Sequence, residues 1–439
     1  MNNTASLRRT DRSLADWFTE RRVATILATI VLAVMVISLR PFAAEGVGAT
    51  EGGGDIVNQL GFSSLGALAV ASLLTFVDRR VVATAFSPWW LILLGFFVFS
   101  IIHAIDPMGA ARTAIFTFIG IISVVAFLTL PRDADSFSMA LAVVGFATVG
   151  LSYFGVVFLP HLAIHSADAI EAQHAGFWRG LFSHKNIAGP VMACLSFAGL
   201  YLWRRGWSKA GILLFCAAII FMANTGSKTT LGLVPLTICM VMGPSMIGMR
   251  PMVPVLFVLT FIGFALGTLG IVFIDPLKHL AAEYFPGLTY TGRTTLWAFA
   301  GDLLAKHPWA GWGYESLWGV IVPTMERPFD LEWDVRGIVH SHNGFLEVAL
   351  IMGIPGLIAA LMTFVVVPMA DFLRVSKRRE NIFMADLFMM FLLFTSLNSF
   401  LEAFFFRRID PVWVFFLIGV FGLRFVSRFP VKSRPDPRR

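Results

Sequence analysis

Residues 340–356 read HSHNGFLEVALIMGIPG: two histidines and an asparagine run directly into an apolar segment interrupted only by Glu347 and marked by Gly353, Pro355 and Gly356. The apolar segment continues well past the proline, long enough to cross about 30 Å of hydrocarbon as a helix. Imidazoles at the mouth of such a helix have two readings. They can anchor the chain at the membrane surface, or they can stand as a base above a lipid-borne substrate.

Working outward, the same apolar grade recurs along the whole chain. Of 439 residues, 57% are hydrophobic and 14% are charged, where a soluble domain carries about 25% charged residues. About twelve apolar stretches, each of about 18–24 residues, start near residues 23, 58, 87, 111, 137, 187, 209, 229, 252, 344, 382 and 411. Only helices satisfy their own backbone in lipid without closing into a barrel. The expected fold is therefore all-α, a polytopic membrane protein with about twelve spans. In that division, 1–22 is a cytoplasmic tail, 23–428 a single transmembrane domain, and 429–439 a second cytoplasmic tail.

Charge supports that topology. The net charge of +7 comes from basic residues in short connections, the pattern that orients spans, so nucleic acid is not expected as a partner. With the N-terminus inside, Arg79, Arg80, Arg204, Arg205, Lys209, Arg250 and the run RVSKRRE at 374–380 all fall on the cytoplasmic side. Cys194, Cys216 and Cys239 lie within apolar runs, where thiols behave as small hydrophobes rather than as disulfide partners or zinc ligands. The first apolar run, from Val23 to Leu39, reads as an uncleaved signal anchor.

Two segments on the other side are long, about 161–186 and 275–343, the second between the ninth and tenth spans. Long connections on a rigid scaffold tend to carry function. Within the second, Leu296, Trp297, Ala300, Leu303 and Leu304 recur at helical spacing, predicting an amphipathic helix over Thr294 to Lys306 that stops at His307-Pro308.

The outward-facing cations are few. Lys228, in NTGSKTT, opens a span after a turn of a few residues; a cation there opposes the helix dipole by about 0.3–1 kcal/mol, whereas an anion would be welcome. Arg293, in TGRTTLW, precedes the amphipathic helix and can bind phosphate with two parallel hydrogen bonds. Arg179 and Lys185, in FWRGLFSHKNIAG, flank another helix start together with His184 and Asn186. Helix starts that each carry a cation suit an anionic head group; lipid-headgroup anchoring is the plainer alternative. The dipole at a helix start also favours a neutral imidazole at His342, able to take a proton from a hydroxyl. Glu347 would support the site or balance its cations. No required metal or other cofactor is expected: Asp133-Ala134-Asp135 falls on the opposite side, and Asp330, Glu332 and Asp334 read as a solvated acidic loop.

These motifs resemble the O-antigen ligase and Wzy-type polysaccharide polymerase superfamily. His342-Asn343, then GFLEVALIM, then Gly353 and Gly356 follow the ligase pattern; Arg293, Trp297, His307-Pro308, Gly311 and Gly313 resemble its upstream block. RGLFSHKNIAG and NTGSKTTLG are similar to the exopolysaccharide-polymerase branch, and the likeness is carried by about 175–356. The resemblance implies a membrane glycosyltransferase of the C type, metal independent. Its donor would be an undecaprenyl-pyrophosphate-linked oligosaccharide, and its acceptor a glycan or lipid A-core. On that basis Arg293 and Lys228 would hold the pyrophosphate, assisted by Arg179, His184, Lys185, Asn186 and Asn343, and His342 would be the base, with Glu347, Trp297 and His307 in support. Many ligases have arginine where this chain has Lys228. The expected setting is the bacterial inner membrane with the site facing the periplasm, among membrane lipids and other polysaccharide export or assembly proteins. Repeat-unit polymerase is the leading expectation, O-antigen ligase the alternative, and a lipid-linked glycan flippase the alternative of another class.

Overall fold

The structure, a computed structural model, describes residues 20–43, 56–166, 172–290, 292–325 and 338–432. The acidic residues Asp330, Glu332 and Asp334 and most of both tails lie outside them. Every apolar stretch named above forms a helix: α1 (Glu20–Ile37), α2 (Ile56–Phe76), the short α3 (Arg79–Ala85), α4 (Pro88–Ile102), α5 (Pro107–Thr129), α6 (Ala134–Phe158), α7 (Lys185–Arg204), α8 (Ser208–Asn224), α9 (Lys228–Met246) and α10 (Met252–Ala265). The long connection then supplies α11 (Asp275–Tyr284) and α12 (Arg293–Lys306), before α13 (Gly344–Leu361), α14 (Arg379–Asn398) and α15 (Pro411–Arg428). Among the described residues nine helices are long and apolar enough to cross a membrane, or ten if the bent pair α3–α4 counts as one span. The protein is an all-α, multi-pass membrane protein.

Burial orders the bundle. The most apolar 18-residue stretch of α14 is 83% buried and that of the span begun by α10 only 17%, so α14 is central and α10 presents Val255, Leu259 and Ile262 outward. Glycine permits the closest crossings. A Cβ on Gly199 of α7 would sit 2.7 Å from Phe215 N on α8, and one on Gly419 of α15 would sit 2.9 Å from Phe388 O on α14. Small residues bring membrane helices together in this way because lipid offers no hydrophobic drive between them.

The two ends of the bundle differ in kind. At one end, buried acids are matched to arginines: Asp386 accepts from Arg204 (2.7 Å), Arg250 (3.2 Å) and Ser245 (2.7 Å), and Asp371 from Arg424 and Arg428 (both 3.3 Å). Asp133 pairs with Arg21 and Asp135 with Arg205. The spacing of Asp133 and Asp135 therefore serves ion pairs and the N-cap of α6. Cys194, Cys216 and Cys239 are free thiols within helices.

At the other end α13 is broken. Gly353 has φ 73° and ψ 179°, a conformation close to exclusive to glycine. The break receives the HPWAGWG segment: Trp312 N–H donates to Leu350 O (2.7 Å), Gly313 N–H to Ile351 O (3.2 Å) and Ile354 N–H to Pro308 O (2.8 Å). Gly353 reads from sequence as helix packing; the structure shows a loop clasp, in which a Cβ would overlap the Trp309 carbonyl, while Gly356 faces Met352 of its own helix. Gly353→Ala is expected to destabilise the protein by at least about 1–3 kcal/mol from backbone strain alone. Gly263→Ala, on α10 with nothing near its Cβ, should be neutral or slightly stabilising. Thermal unfolding in detergent compares the two; equal midpoints would contradict the clasp.

Candidate functional site

The HSHN turn is held from several directions. Asn343 caps α13, its Oδ1 accepting from Phe345 N–H (3.1 Å) and Leu346 N–H (3.0 Å) while its Nδ2 donates to Phe400 O (3.0 Å). Gly344 N–H donates to Ser399 O at 2.7 Å. Trp297, buried on α12, donates its indole N–H to Ser341 O at 3.1 Å. Glu347, buried one turn into α13, accepts from Ser341 N–H (2.8 Å) and from the Trp318 indole (3.1 Å). Two of the three supporting residues expected from sequence, Trp297 and Glu347, thus hold the main chain of the turn.

His342 lies one residue outside the cap, not in the first turn of α13, and takes the left-handed backbone conformation with φ 51°. Its N–H donates to His340 Nδ1 at 3.1 Å. Asn343, Ser399 and Glu402 take up the N–H groups of the α13 start, so the helix terminus is not an open anion site. The group that faces the His342 ring is a carboxylate.

That carboxylate is Glu402, in the connection between α14 and α15. Its Oε1 accepts from Arg293 Nη2 at 2.6 Å and Asn186 Nδ2 at 3.0 Å, and its Oε2 lies 3.2 Å from His342 Nδ1. One side chain thus gathers the start of α7, the start of α12 and the HSHN turn. Burial alone would raise Glu402, but the hydrogen bond from His342 and the charge of Arg293 outweigh it and hold the carboxyl below its ordinary range. Burial, followed by the charges of Arg407, His342, Arg293 and His184, holds His340 well below the usual imidazole range. His340 is therefore a neutral neighbour. His340, His342 and Glu402 each place one potential ligand atom within 4.8 Å of the others.

The cations expected at helix starts are there: Lys185, Lys228 and Arg293 are the first residues of α7, α9 and α12. Arg293 follows Gly292, whose φ of 83° turns the chain into the helix, and no side chain caps α12 or α9. Lys228 is exposed, and its turn packs against the first turns of α7, where a Cβ on Gly189 would lie 3.2 Å from Ser227 Cβ. Lys228 is not among the residues that touch Glu402.

The remaining expected residues hold the loop. Arg179 is buried and donates to the carbonyls of Ala43 (2.9 Å), Phe182 (3.3 Å) and Ser183 (3.2 Å), which makes it a loop brace. Lys185 lays its ammonium over the Phe177 ring, 4.3 Å from the centroid. His184 caps α7 by accepting from Asn186 N–H at 3.1 Å. Its ring is 4.9 Å from that of His165, which burial and the charges of His184, Arg179, His174 and Lys185 push down to about 4. His307 packs edge-on against Trp312 at 4.1 Å, which places it in the clasp on α13.

Sequence reasoning missed Glu402, Ser341 and Trp318. For Glu402 the signal was a single acid in FLEAFFFRRID, charged in the middle of an aromatic run and just past a span; an acid there needs a partner. Glu347→Leu is expected to cost about 1–3 kcal/mol for each of the two donors it leaves unpaired, and to loosen the turn. Unfolding midpoints measured alongside Leu350→Ala, a cavity in the same helix, separate the two effects; an unchanged midpoint for Glu347→Leu would refute the bracing role.

Residues 187–361 match the family model described as O-Antigen ligase. The matched stretch carries Lys228, Arg293 and His342 and stops short of Glu402. No curated protein matches the chain significantly. Over that segment, about two fifths of its length, the chain is similar to the O-antigen ligase family.

Proposed function

We propose that the protein is a glycosyltransferase that moves an oligosaccharide from an undecaprenyl-pyrophosphate carrier to a sugar hydroxyl, as a repeat-unit polymerase of exopolysaccharide synthesis. It would act at the periplasmic face of a bacterial inner membrane. The observation that carries this reading is the Glu402 junction, which places an arginine and a histidine on one carboxylate.

Each group has a step. Nδ1–H of His342 donates to Glu402, which fixes the tautomer and leaves the Nε2 lone pair for the acceptor hydroxyl. The acceptor oxygen attacks the anomeric carbon as its proton passes to His342. The bond from that carbon to the phosphate oxygen breaks, and the pyrophosphate lipid leaves with the negative charge. Arg293 and Lys228, each at an uncapped helix start, supply positive charge where it develops. Lys228 binds as a point charge rather than as a planar fork. The cations serve the leaving group without a metal in this scheme.

The family model's description favours a second reading, in which the completed glycan is transferred to lipid A-core or to another acceptor. A carrier without chemistry is a weaker fit, because transporters gather polar groups near the midplane and here they sit at the ends of spans. His342→Ala and Arg293→Ala should each lower transfer from a lipid-linked donor by roughly 10²–10³-fold in a reconstituted assay. Undiminished transfer by both would remove the proposed site. Products in a deletion strain separate the two enzyme readings: single repeat units on the carrier are expected for a polymerase, whereas full-length polymer still on the carrier would establish the ligase.

A further inference from the structure

We propose that His340, His342 and Glu402 also form a site for a borderline divalent ion such as zinc, and that its occupancy silences the base. Two imidazoles and one carboxylate are the donor set of open zinc sites, which keep a fourth position for water. All three ligand atoms already lie within 4.8 Å of one another. The His342 Nδ1 to Glu402 Oε2 separation of 3.2 Å is about the ligand-to-ligand edge expected for metal bonds near 2.0–2.2 Å in tetrahedral array.

The donor atoms face one another. His340 Nδ1 accepts from His342 N–H, so that nitrogen carries a lone pair a metal could take, and Glu402 Oε2 faces the same space. Their supports resemble those that orient metal ligands elsewhere: Glu402 keeps Oε1 on Arg293 and Asn186, while Oε2, which faces His342 Nδ1, is the oxygen that would turn to an ion. Binding has opponents too. Arg293 and Arg407 place positive charge around His340, and His340 must give up the hydrogen bond from His342 N–H if it ligates through Nδ1. A reversible inhibitory site fits this balance better than a permanent structural one.

Occupancy blocks the proposed reaction through either ring nitrogen. An ion on Nε2 takes the lone pair directly. An ion on Nδ1 moves the ring proton to Nε2, so that no proton enters or leaves the ring overall and no acceptor lone pair remains. The inhibitory role rests on the transfer reading; the binding itself does not.

Cobalt, a spectroscopic probe for such sites, is titrated into the full-length protein in nanodiscs without any donor. Visible bands of tetrahedral intensity, displaced by zinc but not by magnesium, are expected, since hard magnesium prefers an all-oxygen shell. His340→Ala should weaken binding at least about tenfold, and Glu402→Gln should do likewise, each checked for an unchanged thermal midpoint. His279→Ala, on α11, should bind as the parent does. Absent bands, or equal binding by His340→Ala and Glu402→Gln, overturn the site. Zinc should also inhibit transfer, with recovery on chelation; zinc bound with transfer undiminished overturns the inhibitory role. Because the titration uses no donor, it decides the site even in a preparation that transfers nothing.

Discussion

A carboxylate at the edge of a membrane bundle is costly unless it is paired, and Glu402 meets that constraint by drawing three separate pieces of chain to itself. Arg293 comes from the long connection, Asn186 from the start of α7, and His342 from the turn before α13. Those segments are far apart in sequence. Removing the acid would leave a guanidinium and an imidazole facing each other with no counter-charge. The junction therefore sets both where Arg293 stands and which nitrogen of His342 faces the carboxylate.

The clasp on α13 serves the same end by different means. A continuous helix would have offered no free carbonyls to the HPWAGWG segment. The break at Gly353 frees Leu350 and Ile351 to accept from Trp312 and Gly313. That anchors the C-terminal end of α12, whose Trp297 in turn holds Ser341. Backbone hydrogen bonding near the membrane thus transmits position from a kinked span to the histidine turn. At the opposite end, the pairs of Asp386 and Asp371 with arginines hold the spans that carry the site from below.

Much of this was legible in the sequence. Segment starts, the helix over 294–306, and cations close to the starts of α7, α9 and α12 all follow from apolar length and from where charges interrupt it. The roles within the site were less legible. Arg179, Lys185 and His307 have the same composition signal as Arg293, yet they brace a loop, cover a phenyl ring and pack on a tryptophan. A residue type and its neighbours in sequence do not say which of several partners it will meet. Glu402 shows the converse: it lies outside the motif segment, so only its oddness in an aromatic run marked it.

The amino-acid sequence by itself determined that this is a multi-pass helical membrane protein with motif residues of one superfamily, because hydrophobic length and local spacing are properties of contiguous chain. Only the tertiary structure decided that His342 answers to a carboxylate rather than to a helix dipole, and that Gly353 opens a helix rather than packing one. Those outcomes depend on a contact between segments sixty residues apart and on one between a loop and a span. No local pattern encodes the distance between Glu402 and Arg293; the packing of α14 against its neighbours sets it.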